Sequence, residues 1–122
     1  MASIDLTQFH QAFFEETAEH LDAMEHLLVT IDIDAPDPES LNGIFRAAHS
    51  IKGGAGIFGF TDFIGVTHAA ESLLDKIRSG LLALRPDMVD VFLATRDLLG
   101  RLLDRHRGGD FPDLADERGR SA

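Results

Sequence analysis

The sequence contains no cysteine, so disulfides and thiolate metal sites are excluded. Basic residues are scarce: 11 Lys and Arg stand against 21 Asp and Glu, a formal net charge of −10. A nucleic-acid binder needs a basic patch, so no nucleic-acid partner is expected. No apolar run approaches the roughly 20 residues of a membrane span, so no membrane insertion is expected. The first residues, Met1 to Asp5, carry no basic region leading into an apolar core. No secretory leader is therefore expected, and a cytoplasmic setting is. No segment alternates with the strand period of two. No glycine loop sits between a strand and a helix to cradle a phosphate, so no nucleotide site is expected in this chain. Internal repeats and low-complexity tracts are also absent.

What remains suffices for one helical domain with a core: 122 residues, 44% of them hydrophobic. A first amphipathic helix is expected from Ile4 to about Ile31, capped by Ser3 or Asp5. Its apolar face is Phe9, Phe13, Thr17, Leu21, Met24, Leu27 and Leu28, with Phe14 at the edge and partly exposed. Two prolines and three aspartates between Asp32 and Pro38 make a connector. The second helix begins near Pro38, a good first-turn residue, and ends at Phe58 before Gly59. The third starts with Thr61 or Asp62 as cap and ends at Ser79-Gly80. It buries Phe63, Val66, Ala70, Leu73, Leu74 and Ile77, with Ile64, His68, Glu71 and Asp75 along its flank. The fourth runs from Pro86 to about His106, with Met88, Val91, Phe92, Thr95, Leu98, Leu99, Leu102 and Leu103 as its stripe. Four such helices with short connections predict an all-α fold, an antiparallel up-down four-helix bundle around one core. Residues 1–109 form the domain. The tail, 110–122, is read either as a brief fifth C-terminal helix, Pro112 to Glu117, or as the start of an interdomain linker.

The second helix holds the unusual stretch. Gly53, Gly54 and Gly56 lie inside it, each at a cost of up to about 1 kcal/mol relative to alanine. At 100° per residue, Leu41, Ile44, Ala48, Ile51, Ala55 and Phe58 share one face. His49, Lys52, Gly53 and Gly56, with Phe45 beside them, share another. A histidine, a lysine and two missing side chains thus point the same way. The pattern is that of a reactive imidazole kept open to something large.

The stretch Phe45 to Phe60, FRAAHSIKGGAGIFGF, resembles the phosphoacceptor motif of histidine phosphotransfer (HPt) domains, in particular those of CheA-type chemotaxis kinases. The likeness continues through HAAESLLDKIRSG, His68 to Gly80, and through FFEETAEHLDAMEHLL in the first helix. It implies that His49 accepts a phosphoryl group from ATP through a separate kinase domain and passes it to an aspartate of a receiver domain of the CheY or CheB kind. It implies that ATP and Mg²⁺ belong to the kinase domain and Mg²⁺ also to the receiver, with no cofactor bound here. It further implies a domain of a protein-histidine kinase, part of a longer polypeptide. Whether the chain alone counts as an enzyme stays open.

Within that frame each side chain has an expected role. A neutral imidazole is a competent nucleophile near pH 7. Glu71 is expected to hold Nδ1 so that Nε2 presents its lone pair. Lys52 is expected to offset phosphoryl charge, His68 to support the site, and Gly53 and Gly56 to leave room for the receiver. Phe14, Phe45, Ile57 and Ile64 are the expected docking residues. The other histidines, His10, His20, His26 and His106, are expected at helix boundaries or in solvent. Three rival readings exist. A metal held by His68 and Glu71, spaced i, i+3, lacks the second copy that di-metal bundles use. A freestanding HPt protein of a multistep relay differs only in reading-frame length. A non-catalytic helical adaptor leaves the glycines and Lys52 unexplained.

Overall fold

The computed structural model describes the backbone of residues 6–108 and the side chains of residues 8–108. Four helices account for most of it: α1 Leu6–Thr30, α2 Pro38–Phe58, α3 Thr61–Arg78 and α4 Pro86–Gly108. Each packs chiefly on two others, in the cyclic order α1, α2, α3, α4 and back to α1. This is an all-α four-helix bundle, with no strand among the described residues. The caps proposed at Ser3 and Asp5, and the fifth helix of the tail, lie outside the described residues.

Local chemistry sets the boundaries that matter for the site. Asp37 caps α2, its carboxylate accepting from the Glu39 N–H at 3.1 Å, and Pro38 follows as the first helical residue. At the other end Gly59 adopts φ 73°, the left-handed region that favours glycine. Its N–H and that of Phe60 return to the carbonyls of α2. Only Gly59 and Phe60 separate α2 from α3, so α3 folds straight back along α2. The start of α3 differs from expectation by a residue: Phe60 occupies the cap position without a side-chain hydrogen bond. The Asp62 carboxylate accepts from the adjacent Phe63 N–H instead.

Met24, Ile44, Phe63, Leu74, Phe92 and Leu99 are sealed from solvent in the shared core. Full burial of such side chains stabilises by roughly 1.5–3 kcal/mol each. The α1–α2 seam is close at two glycines. A Cβ at Gly43 would lie 2.8 Å from Leu27 Cδ1, and one at Gly54 2.7 Å from Phe13 Cδ1. Gly54 is thus a packing glycine.

Four residues depart from their expected burial. Phe14 is only 7% exposed and belongs to the core, whereas Phe9 is 55% exposed. In α4, Val89 is buried while Val91 and Leu98 face solvent. The reason is register: Phe14, Thr17, Leu21, Met24 and Leu28 follow the alternating three–four spacing of a bundle seam, as do Val89, Phe92, Arg96, Leu99 and Leu103. His106 lies in the last turn of α4, a helix boundary as expected, but neither its ring nor that of His10 stands free in solvent. The His10 ring meets Phe58 edge-on at 4.6 Å, and the His106 ring lies 4.2 Å from Phe60. His106 Nε2 is 2.8 Å from Asp62 Oδ2, tying the end of α4 to the start of α3.

Candidate functional site

The site is built where the middles of α2 and α3 face each other. His49 stands on the solvent edge of α2, its side chain 64% exposed, because Ala48 and Ile51 beside it are taken by the core. Lys52 lies one turn on, on the same edge. From α3, Glu71 reaches both while itself only 8% exposed. His49 Nδ1 is 2.8 Å from Glu71 Oε2, and Lys52 Nζ is 2.8 Å from Glu71 Oε1.

The protonation pattern follows from these distances. Burial on its own pushes the Glu71 carboxyl up. Hydrogen bonds from Lys52 and His49, with their charges, outweigh it and hold the group below its ordinary 4.5. An ionised carboxylate has no proton to give, so Nδ1–H of His49 donates to Glu71. In the neutral imidazole the free lone pair is then on Nε2, and the ring is exposed. The arrangement is a nucleophilic nitrogen with a fixed tautomer, oriented by a carboxylate that a lysine neutralises.

The remaining expected residues divide. Gly53 and Gly56 are exposed, and a Cβ at either would meet nothing within 4 Å, so the surface beside His49 is low and open. Ile57 is 79% exposed. Ile64 and Phe45 are half-buried, and Phe14 is withdrawn from the docking set because it is core. His68 is not brought into the site. It is exposed and, among the described residues, makes no hydrogen bond or ion pair. Glu71 is turned toward His49 and Lys52, which leaves the His68–Glu71 pairing without its carboxylate. No group of three or more metal-ligating side chains occurs among the described residues.

Two residues at this seam were missed from the sequence. Arg78 Nε donates to Asn42 Oδ1 at 2.9 Å, and the Arg78 guanidinium sits 4.1 Å from the centre of the Phe45 ring. Their signal was available: Arg78 lies seven residues after Glu71, and Asn42 seven before His49, which places each on the edge its neighbour occupies.

Comparison with known proteins bears on the family and the fold. The Hpt domain family model matches residues 8–107. The chemotaxis protein CheA of Salmonella typhimurium is 47% identical over 113 residues, covering 93% of this chain and 17% of that protein. CheA of Rhizobium meliloti is 38% identical over 115 residues, covering 94% of this chain and 15% of that protein. The chain thus spans less than a fifth of the length of these curated relatives. Among solved structures, the CheA phosphotransferase domain from Thermotoga maritima superimposes with a TM-score of 0.77 at 30% identity, covering 84% of this chain and 97% of that one. None of the described helices is long and apolar enough to cross a membrane. With a family model running from the start of α1 to the end of α4, and a CheA phosphotransferase domain sharing sequence and helix arrangement across almost its full length, the chain belongs to the Hpt domain family.

Proposed function

We propose that this domain carries a phosphoryl group on Nε2 of His49 within a CheA-type chemotaxis kinase acting in the cytoplasm. A separate kinase domain holds ATP and Mg²⁺. The Nε2 lone pair attacks the γ-phosphorus, the N–P bond forms, the bond to the β-phosphate oxygen breaks and ADP leaves. The Nδ1 proton stays on its nitrogen against Glu71, so the imidazolium character that develops is met by a carboxylate already in place. Lys52 cancels the Glu71 charge that would otherwise repel the incoming phosphoryl group. In the second step an aspartate oxygen of a response-regulator receiver attacks phosphorus, and Nε2 departs with the N–P electron pair.

The observation that carries this reading is the 2.8 Å Nδ1–carboxylate contact on an imidazole that is otherwise exposed. A buried structural histidine would not be open, and an idle surface histidine would not be held. The open surface at Gly53, Gly56 and Ile57 supports approach of a receiver domain of the CheY or CheB kind. Such an encounter must be transient, so a small interface and modest affinity are expected.

The test is incubation of the chain with a CheA kinase core, labelled ATP and Mg²⁺. Acid-labile, alkali-stable label on wild type and none on His49→Gln is the expected outcome. Equal labelling of both proteins would overturn the proposal.

A further inference from the structure

We propose that Phe45, held by Arg78, is a positioning residue that sets the plane of the His49 ring; this rests on the phosphotransfer reading of His49. A single hydrogen bond at Nδ1 fixes one point of the imidazole. The ring's only other attachment is the Cβ–Cγ bond, and rotation about that bond both moves Nε2 and lengthens the Nδ1–Glu71 contact. The His49 side chain is 64% exposed, so packing supplies little further constraint. Phe45, one turn earlier on α2, supplies the missing one. Its ring lies parallel to the imidazole within 8°, with centroids 6.0 Å apart. Glu71 holds the edge of the imidazole while the Phe45 ring runs parallel beside it.

Phe45 is fixed in turn, which separates it from an ordinary exposed aromatic. The ring is half-buried, and the Arg78 guanidinium from α3 sits 4.1 Å from its centre. That guanidinium is anchored by its Nε–H on Asn42 Oδ1 at 2.9 Å and by Asp75 at 3.6 Å. The α2–α3 seam therefore repeats itself after seven residues. Glu71 reaches across to His49 and Lys52, and Arg78 reaches across to Asn42 and Phe45. The first contact sets the tautomer of the nucleophile, and the second holds the ring in the plane that keeps Nδ1–H on Glu71, so that without it both tautomers populate. This moves Phe45 from the docking surface, where its exposure in a sequence reading placed it, to the support of the reacting ring.

The test compares the chain with Phe45→Leu, which keeps apolar bulk but no plane, with Phe45→Tyr, which keeps the plane, and with Arg78→Gln. Three quantities are read: the ¹⁵N shifts of the two His49 ring nitrogens, the rate of labelling by a CheA kinase core with ATP and Mg²⁺, and its KM for the chain. Phe45→Leu is expected to draw the two nitrogen shifts together and to slow labelling roughly two- to tenfold at unchanged KM, the range set by an aromatic pair. Phe45→Tyr is expected to restore both, and Arg78→Gln to reproduce part of the loss without touching the α2 ring. Wild-type nitrogen shifts and rate in Phe45→Leu would overturn the inference. A slowed rate carried by a raised KM with unchanged shifts would also overturn it, returning Phe45 to docking. Failure of wild type itself to take label would overturn the phosphotransfer reading instead, and the shift comparison still decides the positioning of the ring.

Discussion

At the scale of single residues the site depends on Glu71, and its titration gives a stability signature. The carboxyl sits below its ordinary 4.5 in the folded chain because its two cationic or donating partners outweigh burial. A group depressed on folding contributes stability that is fully present above its unfolded value and is lost as pH falls through its folded value. Wild type should therefore lose this contribution below about pH 4.5. Glu71→Gln keeps the shape but not the charge. At about pH 7 it should be less stable by about 1–3 kcal/mol, the worth of charge-assisted hydrogen bonds at a partly buried pair. The difference should shrink as pH falls below 4.5 through the folded carboxyl's lowered value, where the native side chain takes up its proton too. Urea unfolding of both proteins across this range checks it, and a gap that stays constant with pH would assign the loss to packing. The pairing of His49 with Glu71 was legible in the sequence because Glu71 lies on the flank of its helix and the resemblance to HPt domains places a glutamate there. The closure of Lys52 on Glu71 was not, since a lysine one turn from the histidine is equally free to point at an incoming phosphate. Only the depth of Glu71 in the α2–α3 groove decides that.

At the scale of the element, α2 carries two kinds of glycine one residue apart. Gly53 opens onto solvent, and Gly54 faces Phe13 at 2.7 Å from where its Cβ would be. Alanine at Gly53 should stabilise the helix by about 0.5–1 kcal/mol, since it removes glycine's backbone entropy cost and meets no neighbour. Alanine at Gly54 should destabilise by about 1–3 kcal/mol, because an aromatic ring in a packed core must move. Thermal midpoints should therefore move in opposite directions, and a matching fall in both would mean that α2 tolerates no side chain on either face. If the open surface serves receiver approach, Gly53→Ala is also expected to pass its label on more slowly despite its higher midpoint. The element scale was where the sequence served best and where it misled. Pro38 and Gly59 marked the ends of α2 because each has a backbone geometry that suits only that position. The buried arc of α1 was misjudged because α1 packs against both α2 and α4, so one apolar row is too narrow an account of it. Following the three–four alternation from Leu28 backward places Phe14 inside and leaves Phe9 out.

At the scale of the whole molecule the bundle separates stability from chemistry. His49, Lys52 and Glu71, with the Asn42–Phe45–Arg78 contacts, all belong to α2 and α3. The fourth helix packs on α1 and α3 and supplies no residue to the site. Its contribution is the far side of the core, where Leu99 is fully buried. Leu99→Ala should cost about 2–5 kcal/mol through lost burial and the cavity left behind. A domain of this size has roughly 5–15 kcal/mol to lose, so the variant should remain mostly folded well below its midpoint. Under those conditions its labelling rate and the nitrogen shifts of His49 should match wild type, while its urea midpoint falls. The comparison is informative because α3 touches both α4 and the site. A labelling rate that dropped while the protein stayed folded would show that α4 adjusts the depth of Glu71 through α3. The His106–Asp62 contact, 2.8 Å across the α3–α4 boundary, would then be the next place to break. An unchanged rate would establish that two helices hold the reacting groups and the other two hold those helices together.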